Sequence, residues 1–126
     1  MKKYLLYIIA SFSMLSFTIA LDIGDIITAL KTGSAAGIAK NFDNTVEITL
    51  PGKTGSFSKS QADLILRDFF ENNTVKSFTI LHRGNNGGSE YCIGTLATKT
   101  GNFRTTVYMK QKADKQALQE IRFELN

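Results

Sequence analysis

Apolar residues recur with two different periods along this chain, and the periods divide it into elements. Ile23, Ile26, Ile27 and Leu30 stand at i, i+3, i+4 and i+7, the single apolar stripe of a short helix. Asp22 and Asp25 lie at its start, where the helix dipole favours negative charge, and Gly33 stops it. Ser34 is placed to cap a second short helix with Ala35, Ile38, Ala39 and Phe42 as its inner face. Gly37 weakens that helix. From Thr45 to Leu50 the period drops to two: Val46, Ile48 and Leu50 alternate with Thr45, Glu47 and Thr49, as in a half-buried strand. Pro51-Gly52 turns the chain, and Gly55 to Phe57 reads as a short return strand.

Ser58 with Gln61 three residues on is a capping box, and it opens the clearest helix. Ala62, Ile65, Leu66, Phe69 and Phe70 line one face of it; Gln61, Asp63, Arg67, Asp68 and Glu71 cover much of the other, and Asn72-Asn73 ends it. Four strand-like runs follow: Thr74 to Arg83, Tyr91 to Thr98, Asn102 to Lys112 and Leu118 to Leu125. Their connections are Gly84 to Gly88, read as a flexible hairpin loop, then Lys99 to Asn102 and Ala113 to Lys115. Short connections predict antiparallel neighbours. Helices gathered early and strands late predict an α+β domain, its N-terminal helices packed on one face of a curved antiparallel sheet.

Ile121, Phe123 and Leu125 should face inward in the last strand. The three strands before it carry large apolar groups on both faces: Phe78 and Ile80 oppose Leu81, Tyr91 and Ile93 oppose Cys92 and Leu96, and Phe103, Val107 and Met109 oppose Arg104 and Tyr108. Burying such a patch against a second copy predicts a homodimer through the outer sheet face.

The first 20 residues carry an address. Lys2 and Lys3 precede an uncharged run from Tyr4 to Leu21, and Thr18-Ile19-Ala20 puts a small residue before a cut between Ala20 and Leu21. The run is long enough to span a bilayer. Ser11, Ser13, Ser16 and Thr18 make it polar for a permanent anchor. A signal peptide over residues 1–20 followed by a single domain over residues 21–126 is the expectation, with an exported product, periplasmic or extracellular, and no stable membrane span in the mature chain.

Composition narrows the chemistry. The 126 residues are 43% hydrophobic and 21% charged, the balance of a folded domain rather than a disordered one. The net charge of +4 falls by two once Lys2 and Lys3 are removed, too little to argue for nucleic acid. Lys110, Lys112 and Lys115 make a modest basic end, but no aromatic residues interleave them as a stacking platform needs. One Cys excludes an intrachain disulfide and a thiolate zinc cage; one His excludes multi-histidine metal sites. No metal and no cofactor are expected.

Three residues are the candidates for a polar site: His82, Tyr91 and Arg104. His82 follows Phe78 and Ile80 at strand spacing, which predicts that it shares their face. A neutral imidazole there suits a general base, given an orienting carboxylate; Asp43, Asp68 and Glu90 are the acids to consider. The plainer reading is a histidine bonded to backbone near a strand end. Arg104 and Tyr108 share a strand face and suit an anion, or simply a solvated or dimer-facing surface. Cys92, mid-strand, reads as a small buried hydrophobe rather than a nucleophile. The Gly84 to Gly88 loop precedes a strand, not a helix, so it lacks the dipole of a phosphate loop. Asn72-Asn73-Thr74 fits a glycosylation sequon, idle if the source is bacterial.

A string of motifs carries a resemblance. Lys31 and Gly33 after an apolar helix come first, then Ser58-Lys59-Ser60-Gln61-Ala62 and Asp68-Phe69-Phe70. Phe78-Thr79-Ile80-Leu81-His82-Arg83-Gly84, Tyr91-Cys92-Ile93-Gly94-Thr95-Leu96 and Gly101-Asn102-Phe103-Arg104 complete it. In order and spacing the mature chain resembles a family of small exported bacteroidete proteins, the domain of unknown function 4783 family. The resemblance implies the nuclear transport factor 2-like, or cystatin-like, fold, in which a curved sheet wraps a long helix and leaves a conical cavity. It implies no activity. Superfamily members include isomerases, hydrolases, dehydratases and non-catalytic binding domains, so the fold alone does not choose. The cavity enzymes place an Asp or a His–Asp pair inside the cone, and only His82 offers a counterpart here.

Three readings follow. The first is an exported non-catalytic domain that binds a small ligand or a protein partner in the cell envelope. Its pocket would lie between the Ser58 to Asn72 helix and the concave sheet face, with His82, Tyr91 and Arg104 as its polar groups. The second is a small isomerase- or hydrolase-like cavity enzyme using His82 as general acid/base. The third is a purely structural homodimer.

Overall fold

The computed structural model describes residues 23–126; the predicted signal segment and its cleavage site at Ala20 and Leu21 lie outside the described residues. The helix α1 (Ile23–Thr32) buries the expected stripe together with Ala29. It closes at Gly33, whose φ of +67° lets the Ser34 amide turn back and donate to the Ala29 carbonyl at 2.9 Å. Ser34 then caps α2 (Ala35–Ala39) through a 3.0 Å bond from the Gly37 amide. Phe42, expected on this helix, instead begins β1 (Phe42–Leu50). A turn at Pro51-Gly52 leads to β2 (Lys53–Ser58). The capping box at Ser58 and Gln61 is present in both directions and opens α3 (Lys59–Asn72), which buries Ala62, Leu66, Phe69 and Phe70.

The remaining strands are β3 (Val75–Asn86), β4 (Ser89–Thr98), β5 (Gly101–Lys112) and β6 (Lys115–Leu125). The six strands form one sheet in the order β2-β1-β6-β5-β4-β3. Every pair is antiparallel except β1 with β6, which run parallel with Ile48 opposite Ile121. The expected all-antiparallel sheet is therefore mixed at this one seam. β6 follows three hairpin strands and docks on β1, with β2 and the long helix between them in the chain, so no hairpin sets their direction. The loop expected over Gly84 to Gly88 shrinks to a two-residue turn: Gly84, Asn85 and Asn86 stay paired in β3, and only Gly87 and Gly88 turn, at φ +60° and +88°.

The helices cover one face of the sheet, with α1 against β3 and β4 and α3 against β1 and β2. The cone between them is closed by rings. Phe69 stacks on Phe123 at 4.5 Å between centroids and meets Phe103 edge-on at 5.2 Å; Phe70 meets Phe123 edge-on at 6.0 Å. Offset and edge contacts of this kind suit aromatic quadrupoles. Two residues from the helix and two from the sheet thus form the centre of the core. Among the described residues, no helix is long and apolar enough to cross a membrane.

Candidate functional site

Several grooves of similar size border the core, and two of them have polar groups beside a helix end. The first lies where α3 ends over the concave sheet face. It has a volume of about 360 Å³, within the usual range for small-molecule sites. Its apolar side is Leu50, Pro51, Phe69, Phe103 and Leu125, and its polar side is Asp68, Asn72, Asn73 and Thr100. Leu125 is 71% exposed at the lip, while Phe69 and Phe103 are buried behind it. The polar side is tied to the fold: Asn73 Nδ2 donates to the Phe69 carbonyl at 2.8 Å, and Thr100 Oγ1 donates to Asn73 Oδ1, stapling the β4–β5 turn to the helix end. The second groove, about 330 Å³, lies between α1 and α2 and is lined by Thr28, Thr32, Ser34, Lys40 and Asn41 among others. Its hydroxyls are largely spent on their own helices: Thr28 Oγ1 donates to the Gly24 carbonyl at 3.0 Å, and Ser34 Oγ accepts the α2 cap bond. Of these two, the groove over α3 combines aromatic walls with convergent polar groups.

The sequence places a pocket between the long helix and the concave face; rings fill that space, the groove opens at the end of the helix, and none of the three expected polar residues lines it. His82, Tyr91 and Arg104 all sit on the opposite, outer face. The reason for His82 is a bulge. Ile80 pairs with Gly94 and His82 pairs with Ile93, leaving Leu81 as an extra residue on β3. One extra residue inverts the alternation, so His82 leaves the face of Phe78 and Ile80 and joins that of Ile93 and Tyr91. Leu81 itself is 63% exposed. Tyr91 and Arg104 need no such correction of parity. They alternate with the buried Cys92 and Phe103, and Tyr91 stands opposite Tyr108 on β5.

On the outer face His82 Nε2 and the Tyr91 hydroxyl are 2.7 Å apart. The three acids considered as orienting carboxylates go elsewhere: Glu90 lies 3.8 Å from Arg83, Asp43 is bonded to Lys112, and Asp68 borders the groove at the end of α3. Cys92 is fully buried, and burial pushes its thiol above the usual range while Arg83 pulls weakly the other way. A thiol held protonated is a poor nucleophile. Among the described residues, no group of three or more His, Cys, Asp or Glu side chains is placed to hold a metal ion.

Sequence reasoning missed Asp68, Asn72, Asn73, Thr100 and Leu125 as pocket residues. Asn72-Asn73 carries a helix-end signal and Thr100 a turn signal, and both are correct locally. Nothing in either says that the two meet, since 27 residues separate Asn73 from Thr100.

A long helix laid over the concave side of a curved six-stranded sheet, with a groove at its end, defines the nuclear transport factor 2-like fold. The chain belongs to the family described as "Domain of unknown function (DUF4783)", whose model matches residues 23–124. It is similar to a family protein of known crystal structure from Bacteroides ovatus, at 31% identity and a TM-score of 0.78 over 81% of this chain and 93% of that one. A second, from Bacteroides uniformis, is 28% identical with a TM-score of 0.79, covering 82% of this chain and 95% of that one. An NTF2-like protein of unknown function from Cytophaga hutchinsonii is similar in fold alone, at 9% identity and a TM-score of 0.61 over 88% of this chain and 95% of that one. No curated protein matches the chain.

Proposed function

We propose that the chain is an exported, non-catalytic binding domain of the cell envelope that holds a small ligand in the groove at the end of α3. The observation that carries this reading is the groove itself. Phe69 and Phe103 give it an apolar wall backed by the stacked core, so the wall is rigid before any ligand arrives. Asp68 and Asn72 offer polar atoms beside that wall. The bond between His82 and a tyrosine on the far face supports binding over cavity catalysis, because a general base works best when a carboxylate orients it within the substrate's reach. The test is a small-molecule screen read by backbone amide shifts. Hits should cluster at Leu50, Phe103 and Leu125; saturable hits that never move these residues would remove the reading. For export, the secreted form should begin at Leu21, and retention in the cytoplasm would remove that part.

Pairing with a second copy through the outer sheet face is the second reading. Tyr91, Ile93 and Tyr108 stand half-buried on that face, and the described helices pack on the other. Sedimentation at micromolar concentration should show a dimer, and monomer alone would exclude it.

A further inference from the structure

The groove at the end of α3 has a sign of charge, and we infer from it that the ligand is an amine-headed amphiphile: an ammonium on a short alkyl or aromatic body. This rests on the reading of that groove as the binding site. The body is specified by the wall of Leu50, Phe69, Phe103 and Leu125. The head is specified by what the polar side has left to offer. One N–H of each amide and the threonine hydroxyl are engaged at home: Asn72 Nδ2 bonds the Asp68 carbonyl at 3.0 Å, Asn73 Nδ2 the Phe69 carbonyl at 2.8 Å, and Thr100 Oγ1 bonds Asn73. The Asp68 carboxylate and Asn72 Oδ1, by contrast, receive no hydrogen bond from any described residue. Beside the second N–H of each amide, a ligand therefore meets one full negative charge and a free amide oxygen, and no full positive charge lines the groove.

The helix adds to this. Asp68 and Asn72 flank the C-terminal end of α3, where the backbone dipoles leave a partial negative charge, and no basic residue stands in its last turn to neutralise it. Lys99 is exposed on the neighbouring turn and does not line the groove. A carboxylate-headed ligand would set like charges together against the same wall. A neutral alcohol would gain the hydrogen bonds without the Coulomb attraction.

A matched pair of probes separates head from body. Octylammonium chloride and sodium octanoate, each below its aggregation concentration, are titrated into the protein and followed by backbone amide shifts. Octylammonium should saturate with shifts at Leu50, Phe103 and Leu125, and bind about five- to tenfold tighter than octanoate, as expected for one exposed carboxylate plus a helix terminus. In Asp68→Asn, a substitution on an exposed helix position, most of that preference should vanish while octanoate binding holds or improves. Equal binding of the two probes at these residues, or a preference that survives Asp68→Asn, overturns the amine assignment and leaves the groove as a binding site. Saturable shifts confined to other residues, or no saturation by either probe, overturn the assignment of the groove as well.

Discussion

The Tyr91 ring lies over Gly84. The two are cross-strand partners on β4 and β3, and a Cβ built on Gly84 would stand 2.6 Å from the Tyr91 ring and hydroxyl. The missing side chain is what lets Tyr91 lean along β3 and reach His82 Nε2 at 2.7 Å. On the opposite face the same device recurs: Phe78 covers Gly94, where a Cβ would meet the Phe78 ring at 2.6 Å and the Thr79 carbonyl oxygen at 2.5 Å.

These two glycines should respond differently to alanine. In Gly84→Ala the obstacle is a half-exposed side chain that can swing away, so stability should fall by only about 1 kcal/mol and the His82–Tyr91 bond should break. In Gly94→Ala the obstacle includes backbone, and the loss should be about 2–4 kcal/mol. Thermal melts give the stabilities, and the His82 ring nitrogen shifts report the bond. Equal losses at the two sites would contradict the account.

Phe69 touches three other rings, so truncating it removes the centre of the cone. Phe69→Ala should cost about 3–5 kcal/mol in denaturant melts. Phe69→Leu, which keeps most of the volume, should cost clearly less. A loss below about 1 kcal/mol for the alanine variant would mean that the rings do not form one packed unit.

Lys112 Nζ lies 2.8 Å from Asp43 Oδ1 and equally close to Oδ2, joining the end of β5 to the start of β1. This bond holds the Asp43 carboxyl below the usual carboxylate range, against the opposing effect of burial. A carboxyl depressed on folding contributes stability above its unfolded pKa, and that contribution is lost as the pH falls through the folded pKa. Lys112→Met should therefore melt lower than the parent at neutral pH, with the gap closing as acid passes through and below the carboxylate range. A gap that stays constant into strong acid would refute the linkage.

Ala113, in the turn between β5 and β6, is the one described non-glycine residue at positive φ, at +54°. An L-residue pays about 1–2 kcal/mol there, partly offset because glycine is the more flexible residue unfolded. Ala113→Gly should raise stability by about 0.5–1 kcal/mol in thermal melts. Destabilisation would show that the turn relaxes differently.

Much of this architecture is written locally. The stripe Ile23–Ile26–Ile27–Leu30, the Ser58–Gln61 box and the alternation of Val46 and Ile48 each involve only neighbours within one or two turns, so they can be read without any long-range contact. The family likeness and the helix-on-curved-sheet fold follow from the same string of local signals. The packing of α3 on the sheet was legible too, because an amphipathic helix must lay its apolar stripe on something.

What the tertiary structure decided is parity and meeting. A period of two tells which residues share a face only while no residue is inserted, and the bulge at Leu81 is visible solely in the pairing of β3 with β4; it moved His82 to the outer face. The parallel seam of β1 with β6, and the joining of Asn73 to Thr100 that shapes the groove, likewise depend on segments remote in the chain. Local propensity acts over a few residues, whereas these contacts are fixed by how the finished sheet closes around its phenylalanine rings.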